Sequence, residues 1–464
     1  MPAFDPKTLA TWTTGKWTQV PPAPLSGFTM DTRSLRAGQV FVAIKTDRRD
    51  GHDFLAAAAA AGASAALVAQ ANPAIALPQL VVADPLSAFQ AIAAAHRRAF
   101  RAPVIGISGS AGKTSTKNLL ALLLGGEEGG VLATEGNLNN HLGVPLTLTR
   151  LEPGLHKFAV IEAGISAPGE MAPLAQMIEP DVALITLVGP AHTQELGGLE
   201  GVAREKAVLP AAVRTSGLAL FPRACAQFPA FRDLSVRTIT VEAAEVLRPA
   251  EPPRDRVYFT ITQRGDTTAI ALAYGPPPPL VFALRRVTAG MAQNAVLAIC
   301  AALWLGVPRD VIQRRLDEYA PAPLRGEIRQ EAGRLLYLDC YNANPASMRD
   351  ALETFCELAP AGEPRLYVLG CMEELGPEAA RYHHELGRSL KLGARDRVFV
   401  VGGEAESVRA GALAAGATAG QVEVVANLEA VTPVVAAFQG AVFVKGSRRY
   451  QLEQVVDGAA TAAH

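Results

Sequence analysis

The segment Val104-Ile-Gly-Ile-Ser-Gly-Ser-Ala-Gly-Lys-Thr-Ser115 constrains the fold more tightly than any other stretch of the chain. A short apolar run feeds a Gly-Ser-Ala-Gly-Lys-Thr loop, and an apolar stretch of helical character, Leu119 to Leu124, follows. A strand, a glycine-rich turn and a helix in that order make a phosphate cradle. Glycines let backbone N–H groups turn toward an anion, and the helix N-terminus adds positive potential. Gly109, Ser110, Ala111, Gly112 and Ser115 would build the loop. Lys113 would neutralise β/γ-phosphate charge, and the Thr114 hydroxyl would reach Mg²⁺. The long form of the motif has Gly five residues before Gly112, where this chain has Ile107. The match is to a shortened variant, with a nucleotide and Mg²⁺ as the expected ligands.

The remaining composition fits a soluble cytoplasmic enzyme. A chain of 464 residues with 49% hydrophobic content can fill the cores of two to four domains. A net charge of −1 gives no reason to expect nucleic acid or an anionic membrane surface as partner. The start Met1-Pro-Ala-Phe-Asp5 lacks the basic-then-apolar pattern of a signal peptide. The longest apolar stretches, Leu55–Val68 and Val296–Val307, are too short to span a bilayer, so no membrane insertion is expected. Five cysteines without a Cys-x-x-Cys pair point to reduced thiols, neither a disulfide frame nor a zinc site. A monomer is expected.

Three blocks follow one another. Residues 1–101 alternate short strands (Val40–Ile44, Ala65–Val68, Leu80–Ala83) with Ala-rich helical stretches. Residues 102–322 alternate strand and helix: Val104–Ser108, Lys113–Leu124, Val131–Ala133, Phe158–Ile161, Gly169–Met177, Val182–Val188 and Val202–Val213. Strands separated by helix-length segments imply a parallel α/β sheet. Within that block, Pro249, Pro252, Pro253 and Pro276–Pro279 flank strand-like runs at Val257–Thr262 and Thr268–Leu272, read as an antiparallel insertion. Ala292–Leu305 reads as a buried helix closing the block. Pro321-Ala-Pro-Leu-Arg-Gly326 has a linker's composition. Residues 323–464 form a third α/β unit, with strands at Leu335–Leu338, Leu366–Leu369, Val398–Val401, Val422–Val425 and Val442–Val444.

Several polar residues stand where apolar strands end, the edge at which open α/β sheets bind ligands. Glu162 closes Phe158–Ile161 and could hold a Mg²⁺ on nucleotide phosphates, or be a loop-facing surface acid. Asn137-Leu-Asn139-Asn140 could line a phosphate channel, or supply turn chemistry, because Asn tolerates left-handed backbone. His192 follows Val182–Val188 and, taken alone, reads as a structural histidine. Lys206 lies on a helical run whose lysines ordinarily face solvent. Arg33 and His52 stand near strand ends in the first block, where a surface residue and a turn residue are equally good readings.

The joint order of these residues resembles the Mur ligases of peptidoglycan synthesis, and within them the branch that adds D-alanyl-D-alanine. The resemblance covers nearly the whole chain. Asp31-Thr32-Arg33, Gly38-x-x-Phe41-Val-Ala43 and Asp50-Gly-His52-Asp-Phe54 resemble the family's uridine-diphosphate-binding domain. Gly109–Ser115 is similar to its shortened phosphate loop. Gly136-Asn-Leu-Asn-Asn140-x-x-Gly143-Val-Pro145 resembles a segment of this branch, and His192 followed by Lys206 matches the family's histidine and carbamylated lysine. Asp339-Cys-Tyr-Asn-Ala-Asn-Pro345, Met372-x-Glu374-Leu-Gly376 and Val444-Lys-Gly-Ser-Arg448 resemble segments of its last domain. Four departures stand out: Thr46 for a usual Gly, Cys371 for a usual Asp, Gly290-Met291 for a usual His-Asn, and Ala163-Gly-Ile-Ser-Ala167 where Asn is frequent.

The resemblance implies a three-domain α/β architecture: a small first domain, a central P-loop ATPase-like domain and a Rossmann-like last domain. It implies an ATP-dependent ligase with UDP-N-acetylmuramoyl-tripeptide and D-alanyl-D-alanine as substrates. By the same resemblance Lys113, His192 and Lys206 are catalytic. The nucleotide is held by Gly109–Ser115 together with Asn294, Arg325 and Asp339. Thr32, Arg33, Asp50, His52, Asn137, Asn139, Asn140, Tyr341, Asn342, Asn344, Lys445, Ser447 and Arg448 bind substrate. Thr114, Glu162, His192 and carbamylated Lys206 hold Mg²⁺. Two rivals remain: a ligase of the same fold adding another amino acid, and a nucleotide-binding homologue without catalysis.

Overall fold

A computed structural model describes residues 2–247, 254–331 and 333–456. Met1, Pro249, Pro252 and Pro253, singled out above, lie outside them. The described residues form three sheets, one in each part of the chain.

The first sheet contains β1 (Lys16–Trp17), β2 (Phe28–Thr29), β3 (Val40–Val42), β4 (Ala65–Val68) and β5 (Gln79–Val81), in the order β1-β5-β4-β3-β2. β2 to β5 pair in parallel, and β1 closes one edge antiparallel to β5. The helix Pro85–Ala99 packs on it and leads into the central unit. Buried Arg97 fixes that junction: Nε donates to the Ile178 carbonyl at 2.8 Å and Nη2 to Asp181 Oδ2 at 2.9 Å.

The central sheet holds β6 (Val104–Ser108), β7 (Val131–Ala133), β8 (Phe158–Glu162), β9 (Val182–Ile185), β10 (Leu218–Pro222), β11 (Thr238–Ala243), β12 (Arg256–Arg264), β13 (Thr267–Ala273) and β14 (Leu280–Arg285). Their order is β14-β13-β12-β11-β10-β9-β6-β8-β7, parallel from β7 through β12. The antiparallel strands β12 to β14 continue this same sheet at its far edge. Successive β6 residues face opposite sides. Ile105 and Ile107 pack with Leu119, Leu120 and Leu123 and with the buried helix Ala289–Trp304, while Val104 joins Ile161, Met171 and Leu209. Burying a side chain of this size stabilises by about 1.5–3 kcal/mol, so both faces hold β6 in place beneath the loop it carries.

β9 stops at Ile185, three residues before the expected end. Beyond it the chain leaves the ladder to hold the loop: the Ser110 N–H donates to the Leu187 carbonyl at 2.9 Å, and Thr186 Oγ1 to the Ala111 carbonyl at 2.5 Å. The helix expected over Val202–Val213 starts earlier, at Gly198, because Gly197 and Gly198 adopt positive φ (72° and 85°) and turn the chain into it.

The third sheet, β15 (Glu327–Glu331), β16 (Arg334–Leu338), β17 (Arg365–Gly370), β18 (Arg397–Val401), β19 (Val422–Val425) and β20 (Ala441–Lys445), runs β15-β16-β20-β17-β18-β19. All neighbours are parallel except β15 with β16. Tyr337, Phe355, Tyr367 and Phe443 form an aromatic cluster on one face, and Leu336, Leu338, Val442 and Val444 fill the other.

Candidate active site

β6 lies between β8 and β9, with the chain passing to opposite sides of it, so a crevice opens outside its carboxyl end. There Gly109 and Gly112 adopt φ of +146° and +76°. A Cβ at Gly109 would strike Thr186 Oγ1, and one at Gly112 would strike Asn294 Nδ2. Only glycine lets the backbone curl so closely and begin the helix Lys113–Leu124 at that point. The Lys113 ammonium donates to the Gly109 carbonyl at 3.0 Å and lies across the mouth of the loop. Burial and the Arg325 charge push it down, while Glu162 pulls it back up.

A cleft of about 380 Å³ runs from this loop between the second and third units. Of the residues singled out in the sequence, it gathers Ser110, Ala111, Gly112, Lys113, Thr114 and Ser115 with Asn137, Asn139, Glu162 and Asn294. From the third unit and the linker it takes Arg325, Asp339, Tyr341, Asn342, Asn344 and Lys445. Glu162, the last residue of β8, is 1% exposed. Its Oε1 accepts from Asn139 Nδ2 at 2.8 Å, and its Oε2 is buried with no hydrogen-bond partner among the described residues. An orphaned carboxylate oxygen in a cleft that a threonine also lines suits a hard cation. Thr114 and Glu162 therefore fit a Mg²⁺ ligand pair.

His192 and Lys206 lie outside the cleft lining but within electrostatic reach of it. Lys206 is 2% exposed and its ammonium has no hydrogen-bond or ion-pair partner among the described residues. Burial and the Lys113 charge push its amine well below the ordinary range. His192, with φ +53°, has Nδ1 against Glu374 Oε2 of the third unit. Burial and the charges of Lys113 and Lys206 hold its imidazole down, against the pull of Glu374. Among the described residues no three His, Cys, Asp or Glu side chains gather to hold a metal. Beside His192 an unmodified Lys206 ammonium would repel a cation.

The third unit closes onto the loop directly. Asn344 Nδ2 donates to the Ser110 carbonyl at 3.2 Å, while Asn344 Oδ1 caps the helix Pro345–Leu358 by accepting from the Ser347 N–H at 2.9 Å. Asp350 on that helix accepts from the Gly290 N–H at 3.0 Å, and a Cβ at Gly290 would stand 2.6 Å from its Oδ2. That carboxylate occupies the space a histidine would need. Arg325 stacks over Tyr341 with its guanidinium 3.9 Å from the ring centroid. Asp339 Oδ2 accepts from Lys445 Nζ at 2.5 Å, and burial pushes the Asp339 carboxyl up despite that ammonium.

Other sequence candidates sit elsewhere. Asn140 turns away from the cleft, its Oδ1 accepting from the Leu142 and Gly143 N–H groups. The Ser447 hydroxyl accepts from the Glu373 N–H at 3.2 Å, and Arg448 pairs with Glu453 at 2.5 Å. Thr32, Arg33, Asp50 and His52 follow the carboxyl ends of β2 and β3 in the first unit. Asp31 binds the Arg33 guanidinium at 2.7 Å. His52 Nδ1 lies 2.6 Å from Asp50 Oδ1, and its Nε2 accepts from the Ala69 N–H at 2.9 Å. Thr288, Gln293, Tyr319, Tyr337 and Asp350 line the cleft without having been singled out. One signal was legible for Lys117, one helical turn after Lys113: its buried ammonium donates to the Thr134 carbonyl at 2.6 Å behind Glu162.

The chain matches three family descriptions in succession. These are the Mur ligase family catalytic domain over residues 24–103, the Mur ligase middle domain over 107–302, and the Mur ligase glutamate ligase domain over 324–448. The UDP-N-acetylmuramoyl-tripeptide–D-alanyl-D-alanine ligase of Escherichia coli (strain K12) is 33% identical over 439 residues, 93% of this chain and 93% of that protein. The ligase of the same description from Bacillus subtilis (strain 168) is 31% identical over 397 residues, 84% of this chain and 82% of its own. A crystal structure of MurF from Acinetobacter baumannii superposes with a TM-score of 0.86 at 28% identity, covering 99% of both chains. With these matches spread over all three units, the chain belongs to the Mur ligase family.

Proposed function

We propose that this chain is the cytoplasmic ATP-dependent ligase that joins D-alanyl-D-alanine to UDP-N-acetylmuramoyl-tripeptide in peptidoglycan precursor synthesis. One observation carries the reading most: Lys113 and the unpartnered Glu162 oxygen face one cleft that the third unit closes. In this reading residues 1–101 hold the uridine diphosphate end through Thr32, Arg33, Asp50 and His52. Residues 102–322 hold ATP, and residues 323–464 bring the acceptor dipeptide.

A carboxylate is a poor electrophile because its oxygen cannot leave. Transfer of the γ-phosphoryl group of ATP to the terminal carboxylate of the tripeptide supplies a leaving group. The dipeptide amine then attacks the acyl carbon, and the tetrahedral adduct collapses to amide and phosphate, with ADP already formed. The protein's task is to position two anions and offset their repulsion. Gly109–Ser115 cradle the phosphates, Lys113 neutralises charge growing on the bridging oxygen, and Arg325 adds a second cation from the linker. Thr114 and Glu162 would hold one Mg²⁺, and His192 with carbamylated Lys206 another; when bound, the ions neutralise phosphate and carboxylate charge. Closure of the third unit through Asn344 and Asp350 excludes the water that would hydrolyse the acyl phosphate.

The test is phosphate release from ATP with UDP-N-acetylmuramoyl-tripeptide and D-alanyl-D-alanine, against single amino acids as acceptors. Release that needs both substrates, prefers the dipeptide and falls about 10²-fold or more in Lys113→Ala supports the reading. Preference for a single amino acid points to a relative of the fold, and no acceptor-dependent release to a non-catalytic homologue.

A further inference from the structure

Tyr337 on β16 carries a hydroxyl with no hydrogen-bond partner among the described residues, although the residue is 1% exposed. Folding removes that hydroxyl from water and returns nothing, which buried polar groups rarely tolerate. The ring cannot swing to find a partner. It is stacked on Phe443 with centroids 5.5 Å apart and meets Phe355 edge-on at 6.3 Å. The side chain lines the nucleotide cleft beside Asp339 and Asp350. Burial and these two carboxylates push the phenol well above its ordinary range, so it stays an O–H donor. Gly326, at φ +73°, flanks the hydroxyl, and a Cβ there would stand 3.4 Å from the oxygen.

The occupant that satisfies this hydroxyl is neutral and polar. Two carboxylates beside it disfavour a phosphate, and phosphates already have Lys113 and the loop N–H groups. The apolar part of the lining, Val287, Met291, Tyr319 and Pro321, suits a flat base. That leaves the sugar. Resting on the reading that ATP fills this cleft, we propose that the Tyr337 hydroxyl hydrogen-bonds a ribose hydroxyl of the nucleotide and sets its preference for ribose over deoxyribose. Asp339 lies one residue past the end of β16 and two on from Tyr337, with its own carboxylate engaged by Lys445, so the tyrosine supplies a donor where the aspartate supplies an acceptor.

Calorimetric titration of the full chain with ADP, 2′-deoxy-ADP and 3′-deoxy-ADP, repeated for Tyr337→Phe, tests this. The native chain should bind ADP about 5- to 10-fold more tightly than one deoxy analogue. Tyr337→Phe should lose that preference by weakening ADP alone. Its thermal midpoint without nucleotide should not fall, since the lost hydroxyl had no partner. Equal binding of all three nucleotides by the native chain overturns the proposal. So does a variant that weakens all three alike, or one whose midpoint drops because the hydroxyl had a structural partner. Failure of the native chain to bind ADP at all overturns the parent reading as well, which separates the two failures.

Discussion

Lys113 and Lys206 are both depressed by burial, yet their surroundings differ. Lys113 donates to a carbonyl and faces Glu162, so it can remain a cation at the loop. Lys206 has no hydrogen-bond or ion-pair partner among the described residues and sits in the field of Lys113. A bare ammonium there repels any Mg²⁺ near His192, whereas a carbamate is an oxygen ligand of the hard type Mg²⁺ prefers. Carbamylation needs the neutral amine. A free lysine is neutral only near pH ~10.4; the depressed amine of Lys206 is neutral at lower pH and loses that form as pH falls through its own value. Activity should therefore rise with bicarbonate and fall on acidification. Lys206→Ala should be inactive in plain buffer and recover partly with a short carboxylic acid; an active enzyme whose mass spectrum shows unmodified Lys206 would contradict this. At this scale the sequence offered Glu162, Asn137 and Asn139 as cleft residues because each ends or follows a parallel strand, beside the readings of a surface acid and of turn chemistry, and all three line the cleft. It did not reveal that Asn140 spends its side chain capping a turn, nor that Tyr337 and Asp350 reach the cleft, because an aromatic in a strand and an acid in a helix carry no local sign of what they face.

The helix Pro345–Leu358 links local structure to closure through one side chain. Asn344 accepts from the Ser347 N–H as its N-cap and donates to the Ser110 carbonyl across the units. Asp caps as well as Asn but has no donor. Asn344→Asp should keep the thermal midpoint of the native chain while turnover falls about tenfold, the scale of one lost hydrogen bond. Asn344→Ala should lose both, at a stability cost of about 1 kcal/mol. An Asn344→Asp enzyme of native turnover would remove this contact from closure. The elements themselves were legible where burial is two-sided. Val104–Ser108, Lys113–Leu124, Ala65–Val68 and Val422–Val425 fall where apolar runs and glycines place them. The polar strand Glu327–Glu331 was not, because it is an edge strand whose pairing with β16 is set by its partner's pattern and not its own.

Across the whole molecule, the three sheets meet at few polar points. Arg97 ties the first unit to the second, and Asn344, Asp350 and Glu374 tie the third to the loop, the Ala289–Trp304 helix and His192. Arg286 Nη2 adds a bridge to Glu357 at 2.7 Å. On the proposed function this arrangement would bring a carboxylate substrate and an amine acceptor to the cleft beside the phosphate loop, and the account stands on what happens to the carboxylate there. Supplying UDP-N-acetylmuramoyl-tripeptide with ¹⁸O in its terminal carboxylate, together with ATP and D-alanyl-D-alanine, follows that atom directly. If the cleft phosphorylates the carboxylate, ¹⁸O appears in the released phosphate alongside ADP. Phosphate free of label, or label carried into AMP, would contradict the account.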